Sequence, residues 1–224
     1  MVFIDGIRHA VEIADLAYNR LVTALTEMAR GHITGNADGN TKAHFARHYT
    51  SAFLDAWAFV DATDRVRTLI QQMPNVADEF MSDERVESFI KLSQEVRQLR
   101  NVADHLAQRI DYVVAKESTA LGVLTWITFV DDISFQHLTC VLRPGTMYPF
   151  KKMELVNPVG QAVVRPTSLV HLAAGEYRVC ISDVWELMRP FVAKLEDSVE
   201  GAIAGINVET PQAGSDIFIA LHSE

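Results

Sequence analysis

The feature that most constrains the fold is a regular row of apolar residues in the middle of the chain. Its members recur every three or four positions for more than three heptads, and they are Phe89, Leu92, Val96, Leu99, Ala103, Leu106, Ile110 and Val113. This spacing places them along one side of an α-helix that packs against other helices. We expect the helix to begin near Ser82, a favoured N-cap residue, and to continue to about Lys116. Ala103, the smallest member, should let a neighbouring helix approach closely.

Two further helices are predicted before this one. Residues 5–30 carry apolar side chains at spacings of three and four, and Gly31 is placed to end that helix. Residues 31–40 are rich in glycine and asparagine and should form a loop. A second helix is expected over 41–73, because Pro74 stops it.

After about residue 120 the pattern changes to short segments rich in β-branched and aromatic residues. These segments are 123–130, 133–142, 153–156, 161–165, 169–172 and 177–180. Turn signals that contain proline and glycine separate several of them, so we expect a small antiparallel meander. Ser182 then caps a last helix that continues to about Gly205.

The predicted order of elements gives the fold class. We expect an α+β protein that is predominantly helical, with four long helices forming a bundle and a small antiparallel β meander inserted between helices three and four. A sheet this small cannot bury both faces alone, so it must pack on the helices of a single domain, 1–224. That domain divides into a helical bundle (1–117), a β insertion (118–181), a returning helix (182–205) and a C-terminal tail (206–224).

Charge and cysteine content limit the partners and the compartment. The formal net charge of -9 opposes broad binding to nucleic acid, because the phosphate backbone would be repelled, but it leaves room for a local basic site. The start of the chain lacks a basic and then apolar segment, and no uncharged apolar stretch approaches the roughly 18 residues of a membrane span. We therefore expect a cytoplasmic protein that does not contact membranes. Cys140 and Cys180 match no metal or redox spacing and are expected to be buried thiols.

The polar cluster with the clearest chemistry lies within the third predicted helix. Arg100, Asn101 and His105 occur together in the run from Leu99 to Leu106. The order Arg-Asn, three residues, His resembles the signature of the HEPN superfamily of helical bundles. In that superfamily an arginine followed four to six residues later by histidine marks many metal-independent endoribonucleases, and also many members that only bind.

The resemblance implies a homodimer that acts on RNA or binds it. Residues five apart on a helix are rotated by roughly 140°, so Arg100 and His105 do not share one face. Either Arg100 must wrap around the helix, or a second subunit must bring its own motif helix alongside and complete the cleft. There His105 would act as general base on a ribose 2'-hydroxyl, Arg100 would stabilise the developing phosphorane charge, and Asn101 would position a phosphate oxygen.

Three charged residues are expected to support that cluster. Asp61 would orient Arg100 in the cleft, Arg97 extends the row of Asn101 and His105 by one helical turn, and Asp104 is an acidic residue next to His105. Asp61 and Asp64 can equally pair with nearby arginines as purely structural ion pairs. The alternative function is therefore a non-catalytic protein-interaction or small-ligand-binding module, in which Arg100 and His105 hold helices together.

One further histidine pair has a spacing found in metal sites. His44 and His48 are four residues apart, which allows both to chelate one ion on a helix. The sequence fixes no third ligand. We expect exposed residues here and predict neither a metal nor another cofactor.

Overall fold

The structure is a computed structural model of the chain that describes residues 2–33, 39–74, 76, 78–104, 111, 119, 121–131, 136–144 and 155–203. In chain order the helices and strands are α1 (Val2–Ile33), α2 (Gly39–Gln72), α3 (Asp78–Met81), α4 (Glu84–Asp104), β1 (Val123–Phe129), β2 (His137–Leu142), β3 (Thr167–Ala174), β4 (Tyr177–Cys180) and α5 (Ile181–Ile203). The predicted mixed, mostly helical architecture with a small antiparallel sheet is confirmed.

Helices α1 and α2 form an antiparallel pair that packs along most of its length. Leu69 lies against Gly6, and Arg20 contacts Asp55, so the chain directions are opposite. Alanines fill much of the contact and allow close approach; the buried ones are Ala10, Ala14, Ala17, Ala24, Ala29, Ala52, Ala56 and Ala62. Helix α4 packs on α2 and α5, and α5 returns to α1.

The apolar row of the third predicted helix lies mainly on α4. Phe89, Val96 and Leu99 are fully buried there. Ala103 is only partly buried, and Val102 is the buried residue of that turn, so the close approach expected at Ala103 stays a prediction. The part of this prediction beyond residue 104 falls outside the described residues except at Asp111, which is helical.

The helices differ from the prediction in number and length. Among the described residues, α1 has 32 residues and α2 has 34, whereas α4 is described over 21 residues and α5 over 23. The one-turn helix α3 was not predicted, so among the described elements the sheet follows the fourth helix and not the third. Ser82 ends α3 by donating its hydroxyl to the carbonyl of Asp78, and Asp83 instead caps α4 by accepting from the Arg85 amide at 3.0 Å.

The sheet has four antiparallel strands in the order β2-β1-β3-β4. It is not the predicted meander, because β1 lies between β2 and β3, and the chain must cross from one edge of the pair to the other. Turn signals mark where strands end but do not fix their order. The segment 161–165 forms no strand.

A directed chain of buried hydrogen bonds joins the sheet to α1. Thr26 donates its hydroxyl to the carbonyl of Val22 at 2.7 Å, so it accepts from Thr167, 2.7 Å away. Thr167 in turn accepts from Thr128 at 2.8 Å, and Thr128 accepts from the Trp126 indole at 3.0 Å. Every one of these buried polar groups is satisfied, which fixes the sheet on the helices.

Gly122 is required where the chain enters β1. Its φ of +80° lies in the left-handed region, and a Cβ added there would stand 2.5 Å from the carbonyl oxygen of Ala173 on the neighbouring strand. Both conditions favour glycine, which has no Cβ to clash. Gly160 also has a positive φ, +76°, but no atom lies near a Cβ there.

Within the described part of the chain, no helix combines the length and apolar character needed to cross a bilayer.

Candidate functional site

Arg100 is held between two carboxylates of a neighbouring helix. It lies on α4 and reaches α2, where its Nη1 donates to Asp64 Oδ2 at 2.7 Å and its Nε is 3.0 Å from Asp61 Oδ1. The two aspartates are three residues apart and therefore share one face of α2. The Arg100 side chain keeps 33% of its surface exposed. The predicted contact of Asp61 with Arg100 is present.

The network continues into the core through Arg67. Arg67 donates from Nε and Nη2 to Asp64 Oδ1 at 2.9 and 2.8 Å, and from Nη1 to Gln71 at 2.6 Å. Only 2% of its side chain is exposed. At the outer end, Arg65 pairs with the second oxygen of Asp61 at 2.7 Å. Two carboxylates thus pair with three guanidinium groups from α2 and α4.

The network keeps Asp64 ionised. Burial raises the pKa of the Asp64 carboxyl, but the hydrogen bonds from Arg100 and Arg67 outweigh burial and hold that pKa below its ordinary value. Asp61 and Asp64 in turn offset the positive charge of Arg100. A phosphate group approaching Arg100 would meet both carboxylates as well, which weakens the attraction.

The other predicted site residues are only partly placed. Asn101 is partly buried and Arg97 is exposed on the same helix. His105 and the side chain of Asp104 fall outside the described residues, so the pairing of Arg100 with His105 stays a prediction. The side chain of His44 also falls outside them, and among the described residues no three potential ligands lie close enough together to hold a metal ion.

A second polar cluster lies in a cleft between α1 and α2 that the sequence analysis missed. The cleft has a volume of about 560 Å³ and is lined by Asn19, Arg20, Thr23, Ala24, Arg47, His48, Ser51 and Asp55. On α2, Arg47, Ser51 and Asp55 recur every four residues and so line one face. The same spacing in the sequence was the available signal, but it points to a cleft only once the partner helix is known.

No protein-family model matches this chain, and neither a curated protein nor a solved structure gives a match.

Proposed function

We propose that this protein is a non-catalytic, small-ligand-binding helical protein in which Arg100 holds α4 on α2. The observation that carries the proposal is the contact of one guanidinium group with two carboxylates at 2.7 and 3.0 Å. An arginine that stabilises a transition state needs donors aimed at the substrate. Here the donors are aimed at Asp64, which is itself buried and bonded to a second arginine.

Releasing Arg100 for catalysis would also disturb the core. Asp64 is 5% exposed and shares its charge between Arg100 and Arg67. Breaking one side of a buried ion pair typically costs about 3 to 5 kcal/mol, because an uncompensated charge stays behind. A substrate phosphate would have to supply that free energy before any chemistry began. A structural role requires no such rearrangement.

The test is an RNA cleavage assay in EDTA with purified wild-type protein, His105→Ala and Arg100→Lys. We expect none of the three to cut single-stranded RNA, and Arg100→Lys to lower the free energy of unfolding because lysine cannot reproduce the fork of two donors. Arg97→Gln, an exposed arginine on the same helix, is the stability control. Cleavage that wild type shows and His105→Ala lacks would overturn the proposal.

The second candidate is a HEPN-like, metal-independent endoribonuclease that works as a homodimer. Its support is the contact of Asp61 with Arg100, which is the orienting contact that a cleft would need, together with the third of the Arg100 surface that remains exposed. In this mechanism His105 removes the proton of the 2'-hydroxyl, Arg100 stabilises the phosphorane, and Asn101 positions an oxygen. The products would carry 2',3'-cyclic phosphate ends.

The homodimer has its own measurement. Because residues five apart on a helix are rotated by roughly 140°, this candidate needs either Arg100 to wrap around its helix or a second subunit to bring a second motif helix alongside. Multi-angle light scattering in dilute solution should then give twice the chain mass. A strictly monomeric protein would remove the composite cleft.

A further inference from the structure

The cleft between α1 and α2 has a buried aspartate paired with an arginine at one end and a second arginine at the other. At one end the Asp55 side chain is 5% exposed, and Arg20 Nε lies 3.3 Å from its Oδ1. At the other end stands Arg47, eight residues earlier on α2 and therefore about 12 Å away along the helix axis. Within the part of the chain that the structure describes, no acidic side chain lies within ion-pair distance of Arg47.

The wall between these ends offers oxygen atoms as acceptors. The hydroxyl of Thr23 donates to the carbonyl of Asn19 at 2.8 Å, and that of Ser51 donates to the carbonyl of His48 at 3.0 Å. The Asn19 amide nitrogen donates to Asp15. Because these protons are engaged within the helices, the remaining lone pairs of the three side chains can accept hydrogen bonds from a bound molecule.

Asp55 adds the strongest acceptor. Burial raises the pKa of its carboxyl, and the charge and hydrogen bond of Arg20 only partly oppose this effect. A buried carboxylate of this kind is stabilised by further hydrogen-bond donors. Arg20 is itself 53% exposed and so leaves room beside the carboxylate.

We propose that this cleft binds a small polyhydroxylated anion, with its anionic group on Arg47 and its hydroxyl groups donating to Asp55 and to the Ser51 and Thr23 oxygens. The inference rests on the proposed small-ligand-binding function and deepens it. Arginine pairs with both phosphate and carboxylate in a two-donor geometry, so the anionic group can be either. The cleft is large enough for a phosphorylated hexose but not for a macromolecule.

Isothermal titration calorimetry on the full chain tests the cleft with four probes. Glucose 6-phosphate and gluconate carry both features, glucose carries only hydroxyl groups, and inorganic phosphate carries only the charge. We expect at least one of the two-feature probes to bind more tightly than glucose and phosphate. Binding of glucose 6-phosphate but not gluconate would assign a phosphate ligand. Binding of gluconate but not glucose 6-phosphate would assign a carboxylate ligand.

Variants then locate the binding. Arg47→Gln should raise the dissociation constant by about tenfold or more, since a charge-assisted hydrogen bond is lost. The control Lys91→Gln removes the same charge from an exposed position on α4 and should leave binding unchanged. Asp55→Asn, checked for folding by circular dichroism, should reduce the difference in affinity between glucose 6-phosphate and inorganic phosphate, because Asp55 contacts only the hydroxyl groups.

Two results would overturn this inference: no binding of any probe, or equal binding by Arg47→Gln and Lys91→Gln. Neither result decides the wider proposal, because a ligand bound elsewhere would still fit a non-catalytic protein. Conversely, RNA cleavage dependent on His105 would refute the wider proposal while the calorimetry still reported on the cleft. The two failures are therefore distinguishable.

Discussion

Replacing Asp64 with asparagine removes the charge that the whole arginine network shares. Asp64 accepts two hydrogen bonds from Arg67 and one from Arg100. Asparagine has nearly the same shape, so the packing of α2 against α4 should be kept. What changes is that Arg67, with 2% of its side chain exposed, loses its only charged partner among the described residues. Gln71 and Thr68 remain as neutral partners.

The size of the effect follows from burial. Removing one partner of a buried ion pair costs about 3 to 5 kcal/mol, far more than the pair contributes relative to an apolar replacement. We expect Asp64→Asn to fall in this range. The matched control is Asp61→Asn, the same substitution one turn earlier, where the side chain is 37% exposed and pairs with Arg65 and Arg100, which are 61% and 33% exposed. An exposed pair contributes about 0 to 1 kcal/mol, so the control should lose little.

Urea unfolding at pH 7, followed by circular dichroism, measures both variants. The dependence of the free energy on urea should be unchanged if each variant keeps the native fold. A loss below about 1 kcal/mol for Asp64→Asn would mean that water or a rearranged side chain solvates Arg67. Equal losses for the two variants would refute the assignment of Asp64 as the central charge of the network.

Three further outcomes are expected. The stability that Asp64 contributes should be complete above its unfolded pKa, about 3.9, and should disappear as pH falls through its lowered folded pKa, so the difference between wild type and Asp64→Asn narrows in acid urea titrations. Gly122→Ala should lower the free energy of unfolding more than Gly160→Ala, for which only the left-handed backbone penalty of about 1 to 2 kcal/mol applies. Equal losses for the two variants would contradict the clash at Gly122. Burial raises the pKa of Cys140 to about 11 and that of Cys180 to about 12, so iodoacetamide at pH 8 should modify both more slowly than free cysteine, and rapid labelling would show that they are exposed.

Helix periodicity was the most reliable guide to the fold. The predicted helix 5–30 lies within α1, and the predicted helix 41–73 passes the end of α2 by one residue, because long amphipathic patterns reflect the burial of one helical side. The one-turn helix α3 has too few residues to show a period. The order of strands was not predictable, because it depends on which edge of β1 the chain reaches after β2, and local turn signals carry no such information.

The burial of the thiols and the presence of the cleft could not be predicted from local sequence patterns. Cys140 and Cys180 are free and only partly buried, whereas an apolar strand pattern suggested full burial. The polar face formed by Arg47, Ser51 and Asp55 resembles an ordinary solvated face in the sequence. It becomes a cleft only because Asn19 and Arg20 face it from α1. Features that depend on two distant segments require the tertiary structure.

A motif on one helix specifies which side chains are present. The partners of an arginine in that motif depend on which side chains the neighbouring helix places against it. Asp61 and Asp64, three residues apart on α2, both contact the Arg100 guanidinium. Arg67, which is 2% exposed, pairs with Asp64 and so links this contact to the core. Any activity that uses Arg100 must therefore loosen a contact on which the packing of α4 depends, and this coupling is why stability and RNA cleavage have to be measured on the same variants.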